Sequence, residues 1–127
     1  MAVQAGDTFL LPLNYGVVPH LWVILTDPDE NGEVLGANLT SHDVFKDTTV
    51  TLEAGEHPFI RRKTVVNYPE AKIIHAETLE SSVERGYAEQ KEPCSPELLK
   101  KIRDGVFSSE FTPQEKSKYL KKRLGLL

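Results

Sequence analysis

The sequence predicts a mainly β protein, a small and strongly bent antiparallel barrel followed by two or three short helices. Three observations carry that expectation. Short apolar and β-branched runs follow one another through residues 1–76, with prolines and glycines falling mainly between them. No long helical period separates these runs, and short strands at such spacing bend or close to protect their edges. After His75 the period changes, and apolar residues recur at helical spacing.

A first strand is expected at Thr8–Leu13 and a second at Leu21–Thr26, where LWVILT is a continuous apolar run of the kind buried on both faces of a sheet. Asp27-Pro28-Asp29-Glu30-Asn31-Gly32 divides it from a third strand at Glu33–Leu39, and Asn-Gly supplies the positive φ of a tight hairpin. Counting outward from that tip sets His20 near position 43, so antiparallel pairing brings it toward Thr40, Ser41 and His42. Thr48–Leu52, Lys63–Val66 and Ala71–His75 complete the strands.

The first part of Glu77–Gln90 reads as a helix. Ser95-Pro96-Glu97 is a clearer start, with a capping hydroxyl, a proline suited to the first turn and an acid at the positive helix end. Leu98, Leu99, Ile102 and Val106 then form one stripe. Thr112-Pro113-Gln114-Glu115 fits a capping box, with Tyr119, Leu120 and Leu124 following on one face before Gly125. Residues 1–76 are therefore expected to form the barrel core and 77–127 a helical extension packed on it as one domain.

The chain has 127 residues, the size of one domain. Its single cysteine, Cys94, cannot form an internal disulfide or a cysteine-based zinc site, which suits a reducing compartment. No apolar run approaches the roughly 18 residues of a membrane span, and the N-terminus lacks a signal pattern. The expected location is the cytoplasm, away from membranes.

Charge is unevenly divided along the chain. Residues 1–90 carry 6 Lys/Arg against 14 Asp/Glu, whereas residues 91–127 carry 9 against 5. Either the basic tail lies on the acidic body and the two neutralise each other, or the tail binds something anionic. An acidic body argues against broad nucleic-acid binding, whose affinity comes mainly from phosphate neutralisation. Contact with RNA or DNA must therefore be local.

Four histidines are candidates for acid/base work, since only histidine titrates near neutrality without special tuning. His20 opens the second strand, His42 follows Thr40-Ser41, His57 lies in the loop Gly55-Glu56-His57-Pro58-Phe59-Ile60, and His75 ends an apolar strand, where packing or simple exposure explains it. Arg61-Arg62-Lys63 is the only concentrated positive charge of the body. A solvated edge that discourages strand-to-strand aggregation is its ordinary explanation. Its closeness to His57 also suits phosphate binding, for which arginine's planar fork is fitted. Asn67-Tyr68-Pro69 offers an amide and a stacking ring. Metal-ligand spacing is absent, and no cofactor is expected.

Gly6-Asp7-Thr8-Phe9 opening the first strand, the apolar second strand His20-Leu21-Trp22-Val23-Ile24-Leu25 and a third strand closing in Asn38-Leu39-Thr40-Ser41 resemble the PemK/MazF family of toxins. The likeness spans roughly residues 5–76. It implies an SH3-like barrel related to that of CcdB, a homodimer, an antitoxin partner, and metal-independent cleavage of single-stranded RNA. In that family an Arg-Pro pair opens the second strand, and the Arg works with a Thr or Ser after the third; here His20-Leu21 stands at the Arg-Pro position and Thr40 or Ser41 at the hydroxyl.

An endoribonuclease of this kind needs a base for the 2′-hydroxyl, an acid for the leaving 5′-oxygen and donors for the phosphorane charge. The expected assignment has His20 and His57 exchanging protons, Thr40 or Ser41 donating to a nonbridging oxygen and Arg61 or Arg62 stabilising charge, with His42 and Tyr68 as further substrate contacts. Two alternatives share the fold: a noncatalytic SH3-like module that binds a basic protein segment, and a CcdB-like inhibitor of an essential enzyme.

Overall fold

The computed structural model describes residues 2–11, 19–43 and 46–126. As expected, the fold is mainly β: a curled six-stranded antiparallel sheet with three helices. The strands are β1 (Thr8–Leu11), β2 (His20–Ile24), β3 (Glu33–Ser41), β4 (Thr51–Leu52), β5 (Thr64–His75) and β6 (Glu89–Lys91), in the spatial order β4-β5-β3-β2-β1-β6. The helices are α1 (Ala76–Glu84), α2 (Pro96–Ser108) and α3 (Gln114–Arg123). Pro12 and Leu13, expected at the end of the first strand, lie outside the described residues.

Apolar cover on both sheet faces explains the unbroken run in β2. Leu21, Val23, Leu35, Ala37, Leu39, Val66 and Tyr68 share one core with Leu98, Ile102 and Val106 of α2 and Leu120 of α3. Phe9, Leu11, Trp22, Ile24 and Val34 point the other way, packing with Val3, Ala76, Leu79 and Ala88. Burying a side chain such as Leu or Ile contributes about 1.5–3 kcal/mol. The four buried apolar side chains of α2 and α3, Leu98, Ile102, Val106 and Leu120, therefore supply a share comparable to a small domain's whole net stability of about 5–15 kcal/mol. The apolar face of the basic tail completes the core, and polar ties reinforce it: Arg103 Nε donates to the Leu25 carbonyl at 2.8 Å, and Lys101 pairs with Glu56 at 3.1 Å.

Several local expectations change. Ser95 caps α2, accepting from the Leu98 N–H at 3.1 Å. The capping box at Thr112 does not form: α3 begins after Pro113 with no side-chain cap, and the buried Thr112 hydroxyl has no partner among the described residues. Leu124 is 36% exposed, so the α3 stripe rests on Leu120 and half-buried Tyr119. The runs expected at Lys63–Val66 and Ala71–His75 fall, from Thr64 on, in one strand, β5, because Tyr68–Ala71 spans an irregularity in its pairing with β3, where Pro69 costs no ladder bond. The stretch beyond residue 76 also contributes a strand, β6, which pairs with β1.

The β2–β3 register differs too. Leu21 opposes Leu39 and Ile24 opposes Gly36, which puts His20 opposite Thr40 rather than position 43. Asp29 causes part of the slip. Its carboxylate accepts from the N–H groups of Asn31 and Glu33 at 2.8 and 2.9 Å, and its own N–H donates to the Glu33 carbonyl at 3.0 Å. Three residues, not two, therefore cross the tip, with Gly32 at φ +74° closing the turn, and the rest of the shift falls between Leu25 and Asp29, where the Leu35 N–H donates to Thr26 Oγ1 at 2.9 Å.

Candidate functional site

One end of the curled sheet opens into a cleft of roughly 1070 Å³. The ends of β2 and β3 form one side, through His20, Leu21, Leu39, Thr40 and Ser41. The 57–62 loop and the segment Gln90–Pro93 line it as well. Six residues singled out from sequence, His20, Thr40, Ser41, His57, Arg61 and Arg62, thus line the same opening.

His20 is oriented by its own hairpin. Its Nδ1 lies 3.1 Å from the Leu39 carbonyl, a contact that requires the proton on Nδ1, and Nε2 makes no hydrogen bond among the described residues. A half-buried imidazole held in this way presents an acceptor at Nε2. Thr40, directly across the sheet, accepts from Lys46 Nζ at 2.9 Å, and the same ammonium donates to the Ser41 carbonyl at 3.1 Å. Thr40 keeps its own hydroxyl proton to donate. Lys46 also keeps one of its three donors among the described residues.

His57 does not match the exchange role expected of it. It is 3% exposed, its Nδ1 accepts from the Phe59 N–H at 3.0 Å, and its Nε2 donates to the Glu92 carbonyl at 2.6 Å. Both nitrogens are committed to backbone, so the ring fastens the 57–62 loop to the segment leading into α2. Further bonds hold that loop: Ile60 N–H donates to the His57 carbonyl, Gly55 N–H to the Ile60 carbonyl and Thr64 Oγ1 to the Arg62 carbonyl. Arg61-Arg62-Lys63 precedes β5, so the face alternation of a strand does not govern these side chains. Arg61 and Arg62 are exposed and make no ion pair among the described residues.

Two expected contacts lie elsewhere. Tyr68 is fully buried beneath α2, with its hydroxyl donating to the Ile102 carbonyl at 2.8 Å, and cannot stack on a ligand. His42 is not among the described residues lining the cleft; its N–H continues the sheet pairing to the Lys63 carbonyl. Sequence reasoning missed Lys46, since a lone lysine in a polar loop carries no signal until β3 and that loop are placed together.

The described chain matches no family model and no curated protein. The chemistry of the cleft must therefore be argued from its own groups. Lys46, Arg61, Arg62 and Lys91 line it against Glu92, with Lys91 compensated by Glu89 at 2.9 Å. An anion is the matching ligand. No group of three or more His, Cys, Asp or Glu among the described residues is arranged to hold a metal. The Cys94 thiol, pushed up to about 11 by burial, is a poor nucleophile. No helix among the described residues is long and apolar enough to cross a membrane.

Proposed function

We propose that the protein is a PemK/MazF-like toxin that cleaves single-stranded RNA in this cleft without a metal, acting in the cytoplasm. The supporting observation is the pairing of His20, whose Nε2 makes no hydrogen bond among the described residues, and Thr40, bonded to Lys46, beside two arginines that make no ion pair among those residues. In this reading His20 Nε2 takes the proton of a 2′-hydroxyl. The freed O2′ attacks the adjacent phosphorus, the bond to the 5′-oxygen breaks, and a 2′,3′-cyclic phosphate remains. Lys46 and the arginines stabilise the phosphorane charge, and the Thr40 hydroxyl donates to a nonbridging oxygen. With His57 committed to backbone, the leaving 5′-oxygen takes its proton from water in the open cleft.

Expression in a bacterial host and incubation of purified protein with a mixed RNA pool in EDTA test this reading. Growth arrest and EDTA-resistant cleavage, both removed by His20→Ala, are expected. Harmless expression with intact RNA would overturn it and leave the noncatalytic interaction module; arrest with intact RNA would favour the CcdB-like inhibitor. A homodimer and an antitoxin partner accompany the toxin reading, and sedimentation of the purified chain checks the first.

A further inference from the structure

The cleft contains an aromatic side chain that the chemistry above leaves unused. Phe59 is 43% exposed and lines the cleft on the loop that also carries Arg61 and Arg62. Leaving a phenyl ring in water forfeits the stabilisation that burial would bring. Its backbone is nevertheless tightly held. The Phe59 N–H donates to His57 Nδ1 at 3.0 Å, Pro58 precedes it, and the Ile60 N–H donates back to the His57 carbonyl at 2.9 Å. Buried His57 is itself tied to the Glu92 carbonyl, which also accepts from Thr8 Oγ1 at 2.7 Å. The ring is therefore mounted on a fixed stretch of backbone at the mouth of a cationic cleft.

We propose that Phe59 is a stacking platform for an unpaired nucleobase of the strand whose phosphates meet Arg61, Arg62 and Lys46. The inference rests on the reading of the cleft as a single-stranded RNA site and adds to it how a base is held. A base offers its π-face to a flat ring without regard to sequence, and its neighbouring phosphates answer the cations. Size agrees: the cleft is at the upper end of the about 300–1,000 Å³ that takes a drug-sized ligand, so it has room for more than one nucleotide. A prepositioned ring loses little freedom on binding, so most of the stacking energy appears as affinity. The base must be unpaired, because a duplex hides both of its faces. Clamping the loop that carries the platform is then the work of His57.

Binding of a 2′-O-methyl oligoribonucleotide, which cannot be cleaved through its 2′-oxygen, separates this proposal from the cleavage reading. The full-length protein is titrated with that oligonucleotide, with the same strand made abasic, and with inorganic polyphosphate. Phe59→Ala is expected to weaken binding of the intact strand roughly 5- to 100-fold, in line with the loss of one base–aromatic stack, while Phe59→Tyr retains it. The abasic strand and polyphosphate should bind wild type and Phe59→Ala alike. In Phe59→Trp, the indole emission should change with the intact strand and stay constant with polyphosphate.

Equal affinity of wild type and Phe59→Ala for the intact strand would overturn the platform, and this is also the result expected if the ring serves a protein partner instead. An equal loss for all three ligands would overturn it as well, by showing that the ring only shapes the arginine loop. If wild type binds none of the three, the RNA reading fails and the platform falls with it.

Discussion

The phenol of Tyr68 fills the space over Gly105 of α2 that a β-carbon would take, and its hydroxyl donates to the Ile102 carbonyl one turn earlier at 2.8 Å. Burial pushes the pKa of this hydroxyl upward, with Asp47 and Asp104 adding to the shift, so it stays protonated and able to donate. Sheet and helix approach closely only because residue 105 has no side chain. This contact fixes α2 on β5 and, through the start of α2, the segment that walls the cleft.

Gly105→Ala is accordingly expected to destabilise the protein, although alanine is worth about 1 kcal/mol more than glycine in a helix. A β-carbon there meets both the Tyr68 phenol and a Val50 methyl, and Tyr68 is fully buried with no room to retreat. Overpacking of this kind costs about 1–3 kcal/mol and occasionally more. The urea midpoint should fall by an amount equivalent to up to about 2 kcal/mol net. A raised midpoint would mean that the ring slides aside freely.

His20 and His57 should respond oppositely to replacement by alanine. His57→Ala removes the partner of the partly buried Phe59 N–H and one of two donors to the Glu92 carbonyl. Each buried group left unpaired costs about 1–3 kcal/mol, so thermal unfolding should shift down by several degrees. His20→Ala forfeits one half-buried bond and should change stability by less than about 1 kcal/mol, yet lower RNA cleavage about 10²- to 10⁴-fold. The opposite order of stabilities would refute the division between a clamp and an acceptor.

What was legible in the sequence followed from local chemistry. The run through Leu21–Leu25 announced a strand covered on both faces, and Ser95-Pro96-Glu97 announced a helix start, because each depends on neighbours in the chain. The meeting of His20 with Thr40 followed from the hairpin, although the register slipped where the Asp29 side chain competed with Asn-Gly for the turn. Tyr68 was misread because a tyrosine before proline looks like a loop, whereas Pro69 sits in a pairing irregularity within β5. His57 and Lys46 depend on contacts 35 and 6 residues away, and no local pattern encodes which atoms they meet.

Lys46 offers a test of charge stabilisation that leaves the fold alone. Its side chain is exposed and, among the described residues, bonds only to Thr40 Oγ1 and the Ser41 carbonyl, so Lys46→Ala should alter stability by less than about 1 kcal/mol. Cleavage should fall about 10²-fold or more, the usual loss when one donor to a developing charge is removed. Lys46→Arg restores the charge on a bulkier fork and should recover part of the rate. Single-turnover cleavage at saturating enzyme reads the effect on the chemical step; an unchanged rate in Lys46→Ala would remove the ammonium from the mechanism.

Acid stability should expose the clasp between the β2–β3 turn and α3. The Glu33 N–H first, then the Tyr119 hydroxyl at 2.8 Å, the Asn31 N–H and the Arg123 charge hold the Asp29 carboxyl below the usual carboxylate range, outweighing the opposing effect of desolvation. Because the folded-state pKa is depressed, the unfolded chain binds more protons in the intervening window. The stabilisation is therefore complete above the unfolded value of about 3.9 and lost as pH falls through the lower folded value. Glu56, lowered chiefly by the Glu53 N–H and also by Lys101, contributes in the same direction, so the decline of wild type alone does not isolate the clasp. Asp29→Asn does: it keeps an oxygen for the turn amides but has no charge to lose. Urea midpoints at pH 7, 5 and 3 should show the variant less stable at the first two and the gap narrowing at the third. A gap constant across the series would show that the ionised carboxylate contributes nothing to holding the turn against α3.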